Sequence, residues 1–223
     1  TGASARLSNG DLRVDFSSPN SVFAFAERLA PAMTIVTGQI DSMRINVPAI
    51  SAALPRFALI AEMGTDNVAA DIIKGSGTTV KHLFTSISND SLISLQAKAT
   101  GIKAGNTRVD SVAFNAIQHG DYLVYKAEMN NRPGTFDDFA HVTANGFAGF
   151  NRMSIFFKQE NIQGEKGFNI GLNAILADSV VTVRLVPLKP MIAYKQWTIN
   201  KDNFISFDLA DNHVDANLNL IGD

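Results

Sequence analysis

Residues 91–130 read SLISLQAKATGIKAGNTRVDSVAFNAIQHGDYLVYKAEMN, and the period of their apolar side chains decides the fold. Ile93, Leu95, Ala97 and Ala99 occupy every second position, while Leu92, Ser94, Gln96, Lys98 and Thr100 stand between them. Neighbouring side chains of a strand point to opposite faces, so a period of two predicts strands with one apolar face. Val112, Phe114 and Ala116 keep the cadence, and so do Leu123, Tyr125, Ala127 and Met129. AGNT around Gly105 and QHGD before Tyr122 bring the Gly, Asn and Asp chemistry of tight turns. Together they predict a meander of antiparallel strands.

The same pattern runs to the C-terminal side. Ile170, Leu172, Ala174 and Leu176 form one row, and Val181, Val183 and Leu185 the next. NNRPG before Thr135 and ADS before Val180 read as turns. Trp197 and Ile199 lead into a polar turn at Asn200 to Asp202, and Ile205, Phe207 and Leu209 follow. After a turn at Asp211 and Asn212, Val214, Ala216, Leu218 and Leu220 read as one last strand. Ser206, Asp208, Asp215, Asn217 and Asn219 take the opposite positions, so one side of the sheet is apolar and the other meets water.

Residues 1–90 mix strands with short helices, in a single segment whose remainder, 91–223, reads as all β. NGDLRVDF predicts a strand after an Asn-Gly turn. In SSPNSVFAFAERLAP a Ser/Asn cap precedes a helix from Val22 to Leu29, with Pro31 just past its end. VPAISAALP allows one or two further turns. TTVKHLFTSI places Val80, Leu83, Phe84 and Ile87 at helical spacing, with KGSGTTV as a flexible link capping that helix. The expected fold is mainly β: a meander of antiparallel strands, each apolar on one face, with two or three short amphipathic helices in its N-terminal third.

Composition narrows the function. Nineteen basic and twenty-one acidic residues give a net charge of -2, and neither sign forms a run, which argues against nucleic acid as a partner. There is no cysteine, so thiolate catalysis and zinc–thiolate sites are out. No apolar run approaches the roughly 20 residues that cross a bilayer. TGASARL, without an initiator Met, reads as the interior of a longer protein. The four histidines, His82, His119, His141 and His213, lie at no metal-ligand spacing. KGSGTTV lacks the P-loop spacing, DLADNHVD lacks the Gly and Glu of a calcium loop, and no G-x-S-x-G occurs. The expectation is a non-catalytic protein with no cofactor or metal.

The apolar face then has two readings. In one, two sheets close on it, giving a β-sandwich interaction module that binds protein or glycan through its loops. In the other, the sheet curls only part way and leaves a trough for acyl chains or unfolded strands, where each buried CH₂ contributes about 0.8 kcal/mol. The trough would be lined by Ile170, Leu172, Val181, Val183, Leu185, Trp197, Ile199, Ile205, Phe207, Leu209, Val214, Leu218 and Leu220. An exposed sheet edge would also allow dimers.

PLKPMIAYKQWTINKDNFISF, with Pro187, Pro190, Ile192, Tyr194, Trp197, Asn200, Asp202 and Asn203, resembles the TamB-like translocation and assembly proteins of the AsmA/TamB superfamily, in their Bacteroidetes-type form. SNGDLRVDF, LPRFALIAEMGTDN (Leu54 to Asn67) and EKGFNIGLNAILADS (Glu165 to Ser179) agree with that style. The resemblance implies a segment of a long periplasmic cell-envelope protein anchored in the inner membrane, whose curved antiparallel sheet forms an open, taco-like groove lined with apolar side chains. Its cargo would be phospholipid acyl chains moving between membranes or unfolded outer-membrane protein strands, and the parent would meet an outer-membrane barrel partner. The N-terminal anchor and the C-terminal docking segment of that family are not recognised in this sequence.

Overall fold

The computed structural model describes every residue except Thr1, Met43, Thr135, Phe136 and Asp223. The chain begins with β1 (Ala3–Asn9) and β2 (Leu12–Ser18), continues through α1 (Val22–Asp41), α2 (Val47–Ala53), β3 (Ala58–Met63) and α3 (Val68–Gly75), and returns to strands. These are β4 (Thr78–Thr79), β5 (His82–Asn89), β6 (Ile93–Ala104), β7 (Thr107–His119), β8 (Tyr122–Asn130), β9 (His141–Gly149), β10 (Arg152–Glu160), β11 (Lys166–Ala177) and β12 (Val180–Ile192). The C-terminal part adds β13 (Lys195–Ile199), β14 (Phe204–Asp208), β15 (His213–Asn217) and β16 (Leu220–Gly222). Among the described residues the sixteen strands join one antiparallel sheet that is not closed into a barrel. The fold is therefore mainly β, as the period of two predicts.

The pairing registers show which side chains share a face. Phe16 lies opposite Leu59, Leu59 opposite Ile87, and Ile87 opposite Leu95. The row continues through Ala116, Tyr125, Gly146, Ile155 and Leu172 to Leu185. A second row runs through Leu83, Ala99, Val112, Met129 and Val142. Both belong to one continuous apolar face; Arg13, Glu62, Gln96, Lys98, Lys126, Asn145 and Asn173 lie on the other.

The helices show that the sheet curls toward its apolar face. Phe25 of α1 meets Phe16 of β2 edge-on at 5.1 Å, while Ile40, fifteen residues on, borders Met153, Ala174, Leu176 and Val181 on β10 to β12. Those fifteen residues span about 22 Å of helix. The eight interstrand steps from β2 to β11 span about 38 Å along the sheet. A flat sheet could not be bridged this way, so α1 is a chord across the concave, apolar side. Its far end is held where Phe150 N–H donates to Ile45 O at 2.7 Å and Arg44 Nη2 to Asp178 O at 3.2 Å. Asn89, at the end of β5, donates from Nδ2 to the carbonyls of Ser51, Leu54 and Pro55 at 3.0–3.2 Å and so ties down α2 and the turn after it.

Three local expectations are corrected. α1 runs through Pro31 to Asp41 rather than stopping at Leu29, so it is a long helix and not a short one. The carbonyl that loses its partner belongs to Glu27, on the exposed side of α1, where water can replace the missing N–H. TTVKHLFTSI forms no helix: β5 pairs with β3 and β6, which puts Leu83, Thr85 and Ile87 on the concave face and Phe84 on the convex one. KGSGTTV is accordingly the end of α3, a turn at Gly77 and the short β4. α3 itself, capped by the Asn67 side chain accepting from Ala70 N at 2.8 Å, and the edge strand β1 were not foreseen.

The β1–β2 turn is tied to the start of α3 by one carboxylate. Asp11 accepts from Thr65 N at 2.8 Å, from Asp66 N at 3.1 Å and from Asn67 Nδ2 at 2.5 Å. The Asn67 hydrogen bond, followed by the backbone one from Asp66, holds its pKa below the ordinary 3.8. A carboxylate lowered on folding stabilises fully above its unfolded pKa, and that contribution is lost as the pH falls through the folded value. Pepsin cleavage between residues 64 and 76 should therefore rise as the pH is taken below the ordinary 3.8. Asp11→Asn should lose most of that pH dependence; equal dependence in both proteins would refute the link.

At the C-terminal side β12 forks. Its first residues, Val180 to Val183, pair with β14, and its last, Met191 and Ile192, pair with β13. Asn203 occupies the gap, accepting from Leu185 N at 2.8 Å and donating to Leu185 O at 3.3 Å. β15 extends the β14 branch and β16 the β13 branch. Val214 to Leu220 is therefore not one strand. Asn200 breaks it, donating to Asn217 O at 3.3 Å and accepting from Asn219 N at 2.8 Å, which turns the chain across to β13.

Candidate functional site

The concave face is the candidate site, a trough whose floor is apolar and largely uncovered. Among the described residues, the buried hydrophobic side chains are Ala32, Val47, Met63, Ala116, Leu176 and Ile199. A closed domain of this length would bury far more of its apolar surface. Most floor side chains, including Leu95, Val112, Phe114, Ile155, Phe157 and Leu172, are only partly covered, because no second sheet lies over them.

The registers bring eight of the thirteen expected lining residues onto this floor: Ile170, Leu172, Val181, Val183, Leu185, Ile205, Phe207 and Val214. Phe207 and Val214 lie near its open margin, 40% and 55% exposed. Leu209 sits just past β14, its N–H bonded to Ser179 O at 2.9 Å. The other four belong elsewhere. Trp197 and Ile199 are on β13, where the indole N–H donates to Ile192 O at 3.3 Å and Ile199 is only 2% exposed. Leu220 faces Ile199 from β16, and Leu218 lies between strands. These four make the small C-terminal branch and not a continuous floor.

The floor extends further in the other direction than the thirteen residues suggest, through β2, β3 and β5 to β10. The signal was present as the same alternation, in Val14 and Phe16 and in Val112, Phe114 and Ala116. Two residues shape its middle. Gly146 on β9 leaves room for the ring of Tyr125, whose hydroxyl donates to Ser154 O at 2.7 Å. Burial of that phenol pushes its pKa above the ordinary value.

The two ends of the trough differ. At the end bearing the β9–β10 and β11–β12 turns, α1 closes over an apolar cavity of about 170 Å³ bordered by Ile40, Ile45, Ala148, Met153, Leu176 and Val181. Leu29 and Met33 lie on the same side of α1 as Ile40, so that side presents apolar groups toward the trough. At the opposite end Gln159 is almost wholly enclosed; its Nε2 donates to Asp138 O and, at 3.2 Å, to the Tyr194 hydroxyl, which draws the 137–139 turn against the ends of β10 and β12.

Among the described residues no three His, Asp or Glu side chains gather as metal ligands would. Asp208, expected to point outward from a hairpin, is on the convex side, where it accepts from Ala210 N at 2.9 Å and Ser179 Oγ at 3.0 Å. Those bonds hold its carboxyl below the usual range. The arrangement is suited to holding hydrocarbon, which needs shape and dryness rather than directed polar groups. No family model, curated protein or solved structure matches the chain.

Proposed function

We propose that this chain is a non-catalytic, TamB-like segment of a cell-envelope protein whose trough receives phospholipid acyl chains in passage between membranes. A periplasmic setting, an inner-membrane anchor elsewhere in the parent and an outer-membrane barrel partner are part of the same proposal, carried by the resemblance of residues 187–207. The observation that supports the trough itself is the continuous apolar face from β2 to β12, crossed by α1 but with no second sheet over it among the described residues. The sandwich alternative calls for a second sheet, whereas every described strand joins the one sheet. Hydrocarbon on this floor would replace water over many partly exposed side chains at once, each buried CH₂ contributing about 0.8 kcal/mol.

Leu172 and Asn173 are adjacent on β11 and face opposite ways. Leu172→Asp puts a carboxylate on the trough floor and should lower lipid recovered by solvent extraction and mass spectrometry by about tenfold, since an unpaired charge against hydrocarbon costs well over 1.4 kcal/mol. Asn173→Asp, on the convex side, should leave recovery unchanged. Equal recovery from both folded variants would remove the reading.

A further inference from the structure

The concave face is uncharged over the regular registers of β2, β3, β5 and β8 to β10, and its charge collects at one place. β7 pairs with β6 without a register shift, so Arg108 and Asp110 follow Val112, Phe114 and Ala116 on that face, toward the end away from α1. Lys103 lies directly opposite Arg108, and Gly101 opposite Asp110. Side-chain carbons of Lys81 fill the space that a Cβ on Gly101 would need. Arg132 completes the group, its Nη2 3.0 Å from Asp110 Oδ1 and its backbone N–H 2.6 Å from Oδ2. Together Lys81, Thr100, Lys103, Arg108, Asp110 and Arg132 enclose a recess of about 300 Å³.

Four basic side chains surround one carboxylate there. The Arg132 hydrogen bonds, with smaller contributions from the charges of Arg132 and Arg108, hold Asp110 below the usual carboxylate range. Asp110 therefore stays ionised and fixes Arg132. Among the described residues no ion pair joins Lys81, Lys103 or Arg108 to a carboxylate. In a chain of net charge -2, this leaves a local positive excess matched to an anion. Immediately inward stands the apolar row Leu83, Ala99, Val112, Met129 and Val142.

We propose that this recess binds the phosphate group of an amphiphile whose hydrocarbon lies on the adjoining rows. The inference rests on the trough reading and adds to it a head-group class and an orientation: phosphate at the charged end, tail toward α1. Arginine offers a planar fork to phosphate oxygens and lysine a mobile point charge, and an exposed rim lets the head group keep part of its water. Several cations around one carboxylate favour a phosphate over the single charge of a fatty acid. The same chemistry would accept inorganic phosphate.

The test compares the wild type with Lys103→Glu/Arg108→Glu, with the milder Lys81→Gln/Lys103→Gln, and with Lys126→Glu on the convex side as control, all at matched thermal midpoints. Three probes are used: palmitoyl-oleoyl phosphatidylglycerol vesicles carrying a pyrene-labelled tracer, pyrene-labelled hexadecanol, and inorganic phosphate by calorimetry. The expected result is phosphatidylglycerol uptake about tenfold weaker in the double reversal, a smaller loss in the neutral pair, and hexadecanol uptake unchanged. Unchanged phosphatidylglycerol uptake in both double variants, with hexadecanol still held, overturns the phosphate site and leaves the trough standing. Phosphate binding that the reversal abolishes, in a protein that takes up neither amphiphile, keeps the site as one for free phosphate and removes the trough reading.

Discussion

Asn89→Ala is expected to lower the unfolding free energy by about 3 kcal/mol, because it strips a donor from three carbonyls where each unsatisfied buried group costs about 1–3 kcal/mol. Asn89 is 4% exposed, and its Nδ2 serves Ser51 O, Leu54 O and Pro55 O while its Oδ1 accepts from Ser51 Oγ at 2.9 Å. The loss should show as a lower urea midpoint at unchanged slope. Asn89→Asp separates the donor role from packing: it keeps the shape but turns a carboxylate toward the same carbonyls, so it should destabilise at least as much. A midpoint within error of the wild type for either variant would show that α2 is held by something else.

Gly146→Ala should have an effect of similar size in the centre of the sheet. A Cβ at this position would fall on the Ser154 carbonyl and lie 2.9 Å from the Tyr125 hydroxyl. Relief requires the strand pair to part and the Tyr125–Ser154 hydrogen bond to break, costing about 3 kcal/mol when overpacking and a lost buried bond are combined. Tyr125→Phe alone should cost about 1 kcal/mol. In the double variant the costs should sum to less than those of the two single changes, because both act on the same bond. Full additivity in the double-mutant cycle would place the cost of the alanine elsewhere.

The sheet was legible wherever one face of a strand is apolar and the other polar, which is why Ile93 to Ala99 and Ile170 to Leu176 announced themselves. β5 was not legible. Val80, Leu83, Phe84 and Ile87 satisfy a helical spacing, and the choice falls to strand only because β3 and β6 stand on either side with backbone groups to be paired. Pro31 marked a helix end that the fold ignores, since the interrupted turn faces water. The end of β15 depends on Asn200, which lies far from Leu218 along the chain, and local alternation carries no trace of that contact. The floor residues of β11, β12 and β14 were readable, whereas Trp197, Ile199, Leu218 and Leu220 were not, because a forked sheet keeps the period of an unforked one. The cationic recess was invisible for a related reason: Lys81, Lys103, Arg108 and Arg132 are scattered in sequence and meet only through strand register.

α1 is fastened near both ends, by Phe25 against Phe16 and Phe57 and by Ile45 and Arg44 against the turns beyond β9 and β11. A rod fixed in this way acts as a gauge for the calibre of the half-pipe. One helical turn is about 5.4 Å, close to one interstrand spacing. Inserting or deleting a turn between Leu29 and Gly38 would therefore reset the aperture by about one strand while leaving every strand of the sheet untouched.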